Sequence, residues 1–382
     1  MPWNEVSIVG QREEFVRLWE QSCSNVRLLC RRFGVSPTTA YKWLERYRAR
    51  GREGLVDLSR RPHLSPRRSA LPIERAVVEL RGQHPAWGAR KIRYRLLAMG
   101  LGGVPATSTV HAILRRHELV DPAEAARHRP WQRFEHDAPN RLWQMDFKGH
   151  FATEKARCHP LTVLDDHSRF ALGLQACPDQ KTLTVKDRLC SIFRRYGLPE
   201  RMTMDNGSPW GGQGDGFTSL TAWLIRLGVR VSHSRPYHPQ TQGKDERFHK
   251  TLELEILRRY TFRDLDHAQS RFDTWRGIYN LERPHESLGM QVPASRYRPS
   301  PRSFPESLPP VEYDSQDLLR KVQNGGEIWF HGRPYKIGNA FVGHHVALRP
   351  TTSDHTLNVF FCHQKIAQIR LTPSPNPSPK NP

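Results

Sequence analysis

Four acids stand apart in a strongly basic chain. Asp146 lies in LWQMDFKG, Asp205 in MTMDNGSP, and Asp245 and Glu246 adjoin in HPQTQGKDERFHKTL (238–252). Each has an ordinary reading by itself. Asp146 would be a strand-edge acid, Asp205 an Asx-type turn residue before Asn206-Gly207, and Glu246 half of an exposed helical ion pair with Lys250. Their joint placement points to chemistry instead. Carboxylates that converge repel one another unless cations neutralise them. Ligands offering only oxygen favour Mg²⁺ or Mn²⁺. Two such ions about 4 Å apart can activate an attacking hydroxyl and stabilise the leaving oxygen of a phosphodiester.

The acids can meet only if strands and helices bring them together. RLWQMDFKGHF, HPLTVLDDHSRF and ALGLQAC read as strands. TLTVKDRLCSIFRRYG reads as a helix with Leu183, Leu189, Ile192 and Phe193 on one side. A strand (ERMTMDNG), a helix (TSLTAWLIRLG), a strand (VRVSHSRP) and a long helix (KDERFHKTLELEILRRY) follow. This order predicts one α/β domain with a mixed sheet over 141–298. The first and fourth strands are expected to be neighbours, so that Asp146 and Asp205 converge and the last helix closes the third side. On that helix Phe248, Leu252 and Ile256 form an apolar stripe, and Glu246, Lys250 and Glu253 share another face. Asp245, in the first turn, is expected to interact with the helix dipole or free backbone amides. Asp165 and Asp166 read as structural or turn-forming.

The balance of the chain identifies a partner class. Among 382 residues, 59 Lys and Arg oppose 38 Asp and Glu, a formal net charge of +21. Such an excess suits a polyanion, with nucleic acid the first choice. A hydrophobic content of 37% is adequate for packed cores, and ten Trp argue against a ribosomal protein. Cysteines at 23, 30, 158, 177, 190 and 362 form no Cys-x-x-Cys pair, so no disulfide framework or zinc ribbon is indicated. No signal peptide, basic amphipathic helix or membrane-spanning stretch is evident. The expectation is a cytoplasmic, nucleoid-associated protein without membrane attachment.

Recognition modules precede the α/β domain. In NVRLLCRRFGVSPTTAYKWLERYRARG, helical periodicity breaks once, at Gly34-Val35-Ser36. Leu29, Cys30 and Phe33 line one helix; Ala40, Trp43, Leu44 and Tyr47 line the next. Gly34 suits a left-handed turn, and Ser36 can cap a helix that opens on Pro37. This predicts a helix-turn-helix over 8–60, with Thr38, Thr39, Lys42 and Arg46 facing a major groove. A second helical, winged-helix-like module is expected over 72–120, with Arg90 and Lys91 toward DNA and Thr107 or Ser108 capping its last helix. Lys244, Arg247 and Lys250 are the DNA contacts expected beside the acids. Residues 121–140 and the Pro-rich 299–310 read as linkers. Short runs over 311–372 suggest a small β-barrel or sandwich, and 373–382 a disordered tail. His344, His345, Cys362 and His363 match no usual zinc spacing.

LWQMDFKG, LTVLDDHSRF, MTMDNGSP, SRPYHPQTQGKDERFHKTL and YNLERPHESLGMQVPASRY resemble the DDE-type transposases of bacterial insertion sequences, whose core is shared with retroviral integrases. RRFGVSPTTAYKWLERY and HPAWGARKIRYRL resemble that family's N-terminal half, so the likeness covers roughly residues 10–298. The resemblance implies an RNase H-like core, divalent metal and strand transfer at transposon ends. It assigns Asp146, Asp205 and Glu246 as the catalytic and metal-binding triad, with two Mg²⁺ or Mn²⁺ ions. Forty residues, positions 206 to 245, separate the second and third acids. That interval is longer than is usual in the family, and the extra length is assigned to the Gly-rich WGGQGDG at 210–216. Asp245 stands where an apolar or neutral residue is more usual. The function expected is binding of terminal inverted repeats, cleavage to a 3′-OH and transesterification into target DNA by a homo-oligomer. The alternatives are a non-catalytic regulator derived from a transposase, and a nuclease that cuts without joining.

Overall fold

The computed structural model describes residues 7–22, 25–58, 68–120, 135–211, 216–233, 243–353 and 355–371. It divides into two compact units, Met1–Arg68 and Ser69–Pro382. HPQTQ ahead of the paired acids, most of the expected 121–140 linker, part of the Gly-rich loop and the tail lie outside the described residues.

The first unit is helical, with α1 (Ile8–Ser22), α2 (Val26–Phe33), α3 (Pro37–Arg50) and a closing 3₁₀ turn, Gly51–Leu55. Phe15, Val16, Leu29, Cys30, Ala40, Leu44 and Leu55 make its core. The punctuation works as the sequence suggests. Gly34 takes φ 64° and its N–H donates to the Cys30 carbonyl, while Ser36 Oγ accepts from Thr39 N at 3.2 Å.

The second unit opens on three helices, α4 (Leu71–Gln83), α5 (Ala89–Ala98) and α6 (Thr107–Arg116), packed around Val77, Trp87, Ile92, Val110 and Ile113. Neither Thr107 nor Ser108 caps α6. Ala106 holds the cap position without a side-chain bond, because the helix begins one residue earlier than its hydroxyls require.

The mixed sheet follows, with β1 (Trp143–Phe147), β2 (Phe151–Ala152), β3 (Arg157–Asp165), β4 (Ala171–Cys177), β5 (Arg201–Met204) and β6 (Arg230–His233). β3 is antiparallel to β1, β2 and β4, whereas β1–β5 and β5–β6 are parallel. The two-residue β2 adds a strand to the three expected at the start of the domain. Helices α7 (Thr182–Tyr196) and α8 (Ser219–Arg226) share one apolar cluster with Trp143, Met145 and Val163. α9 (Gly243–Leu252) runs into a π-helical turn, Glu253–Leu257, and α10 (Leu265–Leu281) follows. Phe248, Leu252 and Ile256 pack with Leu164, Ala171 and Leu174 of the sheet and with Phe272 and Trp275, as the apolar stripe predicts. Leu183 does not join the buried side of α7: it is 80% exposed. Val185 takes that place, in step with Leu189, Ile192, Phe193 and Tyr196 at helical spacing.

The C-terminal part is antiparallel throughout. β7 (Leu318–Lys321), β10 (His345–Pro350), β11 (Thr356–Phe361) and β12 (Gln364–Arg370) form one sheet, and β8 (Glu327–Phe330) pairs β9 (Arg333–Lys336). Its Phe341, Val346 and Phe361 belong to the same apolar cluster as α7 and α8. Gln364 donates to the Val231 carbonyl at 2.9 Å and accepts from its N–H at 2.8 Å, so a side chain covers backbone groups of the β6 edge.

Candidate active site and nucleic-acid interface

Asp146 and Asp205 owe their meeting to strand register. Trp143 stands opposite Met202 and Gln144 opposite Thr203 on parallel β1 and β5. Asp146 follows Gln144 by two residues, and Asp205 follows Thr203 by two, just past the end of β5. Asp205 leaves β5 in a turn where its Oδ1 accepts from Gly207 N at 3.0 Å, and Asp146 Oδ1 accepts from Phe147 N at 2.8 Å. The Asp146 carboxyl is pushed up to about 6, by burial first, then by the Asp205 charge, and further by Glu246. The Phe147 amide opposes the shift. Asp146 on β1 therefore feels the charges of Asp205, at the end of β5, and of Glu246 on α9.

Packing divides the adjoining acids of α9. Glu246 is exposed, and Lys250 is exposed one turn along. Asp245 is only 1% exposed, and neither of its carboxylate oxygens has a hydrogen-bond partner among the described residues. Its proton affinity is raised well above the usual carboxylate range by burial, then by Asp146 and Asp166. The expected contact with free amides of the first turn is not made. Asp245 follows the inward face that Phe248, His249 and Leu252 also occupy.

His249 is a neighbour that the sequence did not single out. Thr162 Oγ1 donates to the Asp146 carbonyl at 2.9 Å and lies 2.8 Å from His249 Nε2. With the hydroxyl proton so used, the imidazole donates through Nε2 and turns Nδ1 toward Asp146 Oδ2, 4.0 Å away. Burial and then Lys148 lower His249 to about 3, so the ring is neutral. Its position three residues after Glu246, on the sheet-facing side, was the available signal.

The expected DNA contacts divide. Thr38 and Lys42 are exposed on α3. Thr39 Oγ1 is 2.8 Å from Ser36 Oγ, and the Arg46 guanidinium lies 4.9 Å from the Trp43 ring. Arg90 is 60% exposed and 3.4 Å from Glu286. Lys91, Arg247 and Lys250 make no ion pair among the described residues, whereas Lys244 is turned inward. Its side chain is 14% exposed, its ammonium is 2.5 Å from Asp166 Oδ1, and it also reaches the Asp166 carbonyl. Burial and Arg169 lower it to about 8 against the pull of Asp166. Lys244 therefore fastens the start of α9, which corrects its expected place on DNA. Asp166 also accepts from His136 N and Gln144 Nε2, and Asp165 accepts from Asn140 N and Ser168 N, so both are structural acids.

Carboxylates gathered within reach of one another's charge are a donor set suited to a hard divalent cation. As the side chains stand, no group of three His, Cys, Asp or Glu among the described residues closes on a single point. The set fits Mg²⁺ or Mn²⁺ in kind.

Known families cover most of the chain. The Integrase core domain matches residues 136–239 and, in a second form, 227–293. A Helix-turn-helix domain matches 11–63, a Homeodomain-like domain 39–114, and the C-terminal domain of IS481 family transposases 317–375. An uncharacterized 31.7 kDa protein of insertion element IS407 from Burkholderia multivorans is 30% identical over 41% of this chain and 55% of its own length. A 39.2 kDa protein of IS476 from Xanthomonas euvesicatoria is 29% identical over 41% of this chain and 44% of its own length. The chain thus spans about half the length of the curated relatives it matches. Among solved structures, a chain of the simian T-cell lymphotropic virus intasome in complex with PP2A regulatory subunit B56 gamma is 17% identical. It covers 78% of this chain and 99% of its own, with a TM-score of 0.37. The chain thus carries helix-turn-helix matches first, the Integrase core domain in the middle and the C-terminal domain of IS481 family transposases after it, and it is similar to insertion-element proteins over the core.

Proposed function

We propose that this chain is a transposase that binds the terminal inverted repeats of an insertion sequence, cleaves a phosphodiester to leave a 3′-OH, and joins that end to target DNA. The observation that carries the reading is the parallel pairing of β1, which holds Asp146, with β5, which Asp205 immediately follows, together with the charges of Asp205 and Glu246 that both act on Asp146. Asp146, Asp205 and Glu246 would hold the Mg²⁺ or Mn²⁺ ions. When bound, such ions activate the attacking water or 3′-OH and stabilise the leaving oxygen. The remaining work falls to this chain's own groups. Thr162 and neutral His249 fix the strand end that carries Asp146. The Lys244–Asp166 contact ties the start of α9 to the sheet and so sets the position of Glu246. Arg247 and Lys250 offer charge to the phosphates beside it. Thr38, Thr39, Lys42 and Arg46 read the end sequence from α3. Two ends must be held together for joining, so the acting form is at least a dimer. Its place of action is chromosomal DNA in the cytoplasm.

The test combines the full chain, its element ends, Mg²⁺ and a plasmid target. Asp146→Asn and Asp205→Asn should each abolish cleavage and joining while end binding persists, since binding rests on the basic modules. Near-normal joining by either variant would overturn the triad. Cutting without joining by the unaltered chain would identify a nuclease, and binding alone a regulator.

A further inference from the structure

A cavity of about 330 Å³ opens between the α4–α6 module and helix α9. Arg81, Arg90, Lys91, Arg247, Lys250 and Arg283 line it, against the two acids Glu255 and Glu286. Both acids are already engaged. Glu255 accepts from Arg283 Nε at 2.9 Å and from Trp275 Nε1 at 2.9 Å, and Glu286 lies 3.4 Å from Arg90. Lys91, Arg247 and Lys250 are left without an ion pair among the described residues. Bringing such cations together unpaired costs free energy, and the strain is visible at Lys91. Burial, then the Arg283 and Arg247 charges, lower its ammonium to about 7. A bound anion would relieve it. The first residues of α5, Ala89 to Lys91, line the same space, and among the described residues no side chain caps that helix. Its free amide ends add positive potential.

The chain's own geometry indicates which anion. Lys250 lies four residues from Glu246 on the exposed face of α9, about 6 Å along the axis. That span is under two base steps of a duplex, at about 3.4 Å per step. We propose that this cleft binds consecutive backbone phosphates of the DNA strand presented to Glu246, so that the second helical module and α9 hold one and the same strand. This rests on the transposase reading and deepens it: the α4–α6 module is one wall of the catalytic groove. Docking of that module supports the assignment. Arg95 lies 2.5 Å from Glu282, and Ile278 of α10 packs on the module's core.

The test is lysine-selective acylation of the full, unaltered chain in EDTA, read by mass spectrometry with and without duplex DNA. Lys91 and Lys250 should be protected together, at the same duplex concentration. Protection of Lys250 without Lys91 would overturn the shared strand. Pyrophosphate that protects both lysines as well as duplex does, at equal phosphate, would also overturn it and mark a small-anion site. The second measurement uses Lys91→Ala/Lys250→Ala with an unchanged circular dichroism spectrum. The slope of log binding constant against log salt should fall by about 0.9 for each lost phosphate contact. End and random duplexes should lose affinity alike, and an unchanged slope would refute the cleft. No step needs strand transfer, so protected lysines in a chain that never joins DNA would sink the transposase reading and leave the cleft standing.

Discussion

Asp245 and Glu246 are adjacent in sequence and opposite in environment. Asp245 is 1% exposed with both oxygens unpartnered among the described residues, and Glu246 faces outward beside Lys250. Successive residues on a helix diverge by about 100°, so only one can share the face that carries Lys250. Glu246→Gln should therefore reduce Mg²⁺-dependent strand transfer to background with end binding intact. Asp245→Asn, which keeps shape, should retain transfer. Both belong in one assay with binding measured alongside. A dead Asp245→Asn beside an active Glu246→Gln would shift the third ligand by one residue.

The buried Asp245 also makes a stability prediction. A carboxyl whose proton affinity is raised by folding binds more protons folded than unfolded, in the window between its ordinary value and its raised one. Stability then falls as pH rises through that window. Asp245→Val removes the burden and suits an inward position, so it should stabilise by about 1–3 kcal/mol at neutral pH, the usual scale for an unsatisfied buried polar group. Paired melts of the two proteins in EDTA should diverge progressively from pH 5 to pH 8. A constant difference would mean that Asp245 does not titrate with folding.

The elements that carry this candidate site were legible because they follow simple rules of order and spacing. The neighbourhood of β1 and β5 follows from strand order, and the stripe of Phe248, Leu252 and Ile256 from helical spacing. What stayed hidden depends on contacts between distant segments. Lys244 reads as a DNA contact until Asp166, 78 residues away, is found beneath it. YNLERPHESL reads only as a family signature. In the fold Asn280 donates to the Ala171 carbonyl and accepts from its N–H, and Arg283 meets Glu255. No periodicity encodes such pairings. The exposure of Leu183 was missed for a local reason, because in the first turn of a helix one residue of phase decides between core and solvent.

Recognition should separate from catalysis. On α3, Lys42 is exposed and Arg46 lies against Trp43, whose ring also carries Arg12 at 3.7 Å. Lys42→Ala/Arg46→Ala should reduce the preference for end DNA over random DNA, each base contact being worth about 1–3 kcal/mol. Ser36→Ala, which removes the helix cap, should cost about 1 kcal/mol of stability without changing that preference in the folded protein. Competition gel shifts and melts distinguish the two effects. An unchanged preference in the double variant would move the reading surface off α3.

The ion pair of Glu255 and Arg283 should govern how firmly α9 is held at its far end. The two side chains are each 8% exposed and 2.9 Å apart, and Glu255 lies in the π-helical turn that continues α9. Trp275 Nε1 supplies its other hydrogen bond. Breaking a buried pair from one side leaves a charge without compensation, at a cost of about 3–5 kcal/mol. Arg283→Met should therefore lower the denaturation midpoint sharply, and Glu255→Gln/Arg283→Met should recover part of the loss, because the amide still accepts from Trp275 and carries no charge. The difference between the two variants measures the stranded charge, independently of any role in DNA binding. If the double variant is no more stable than Arg283→Met alone, the cost lies in the packing of the arginine stem against Tyr279, whose ring centroid is 5.8 Å from the guanidinium, and the pair itself contributes little.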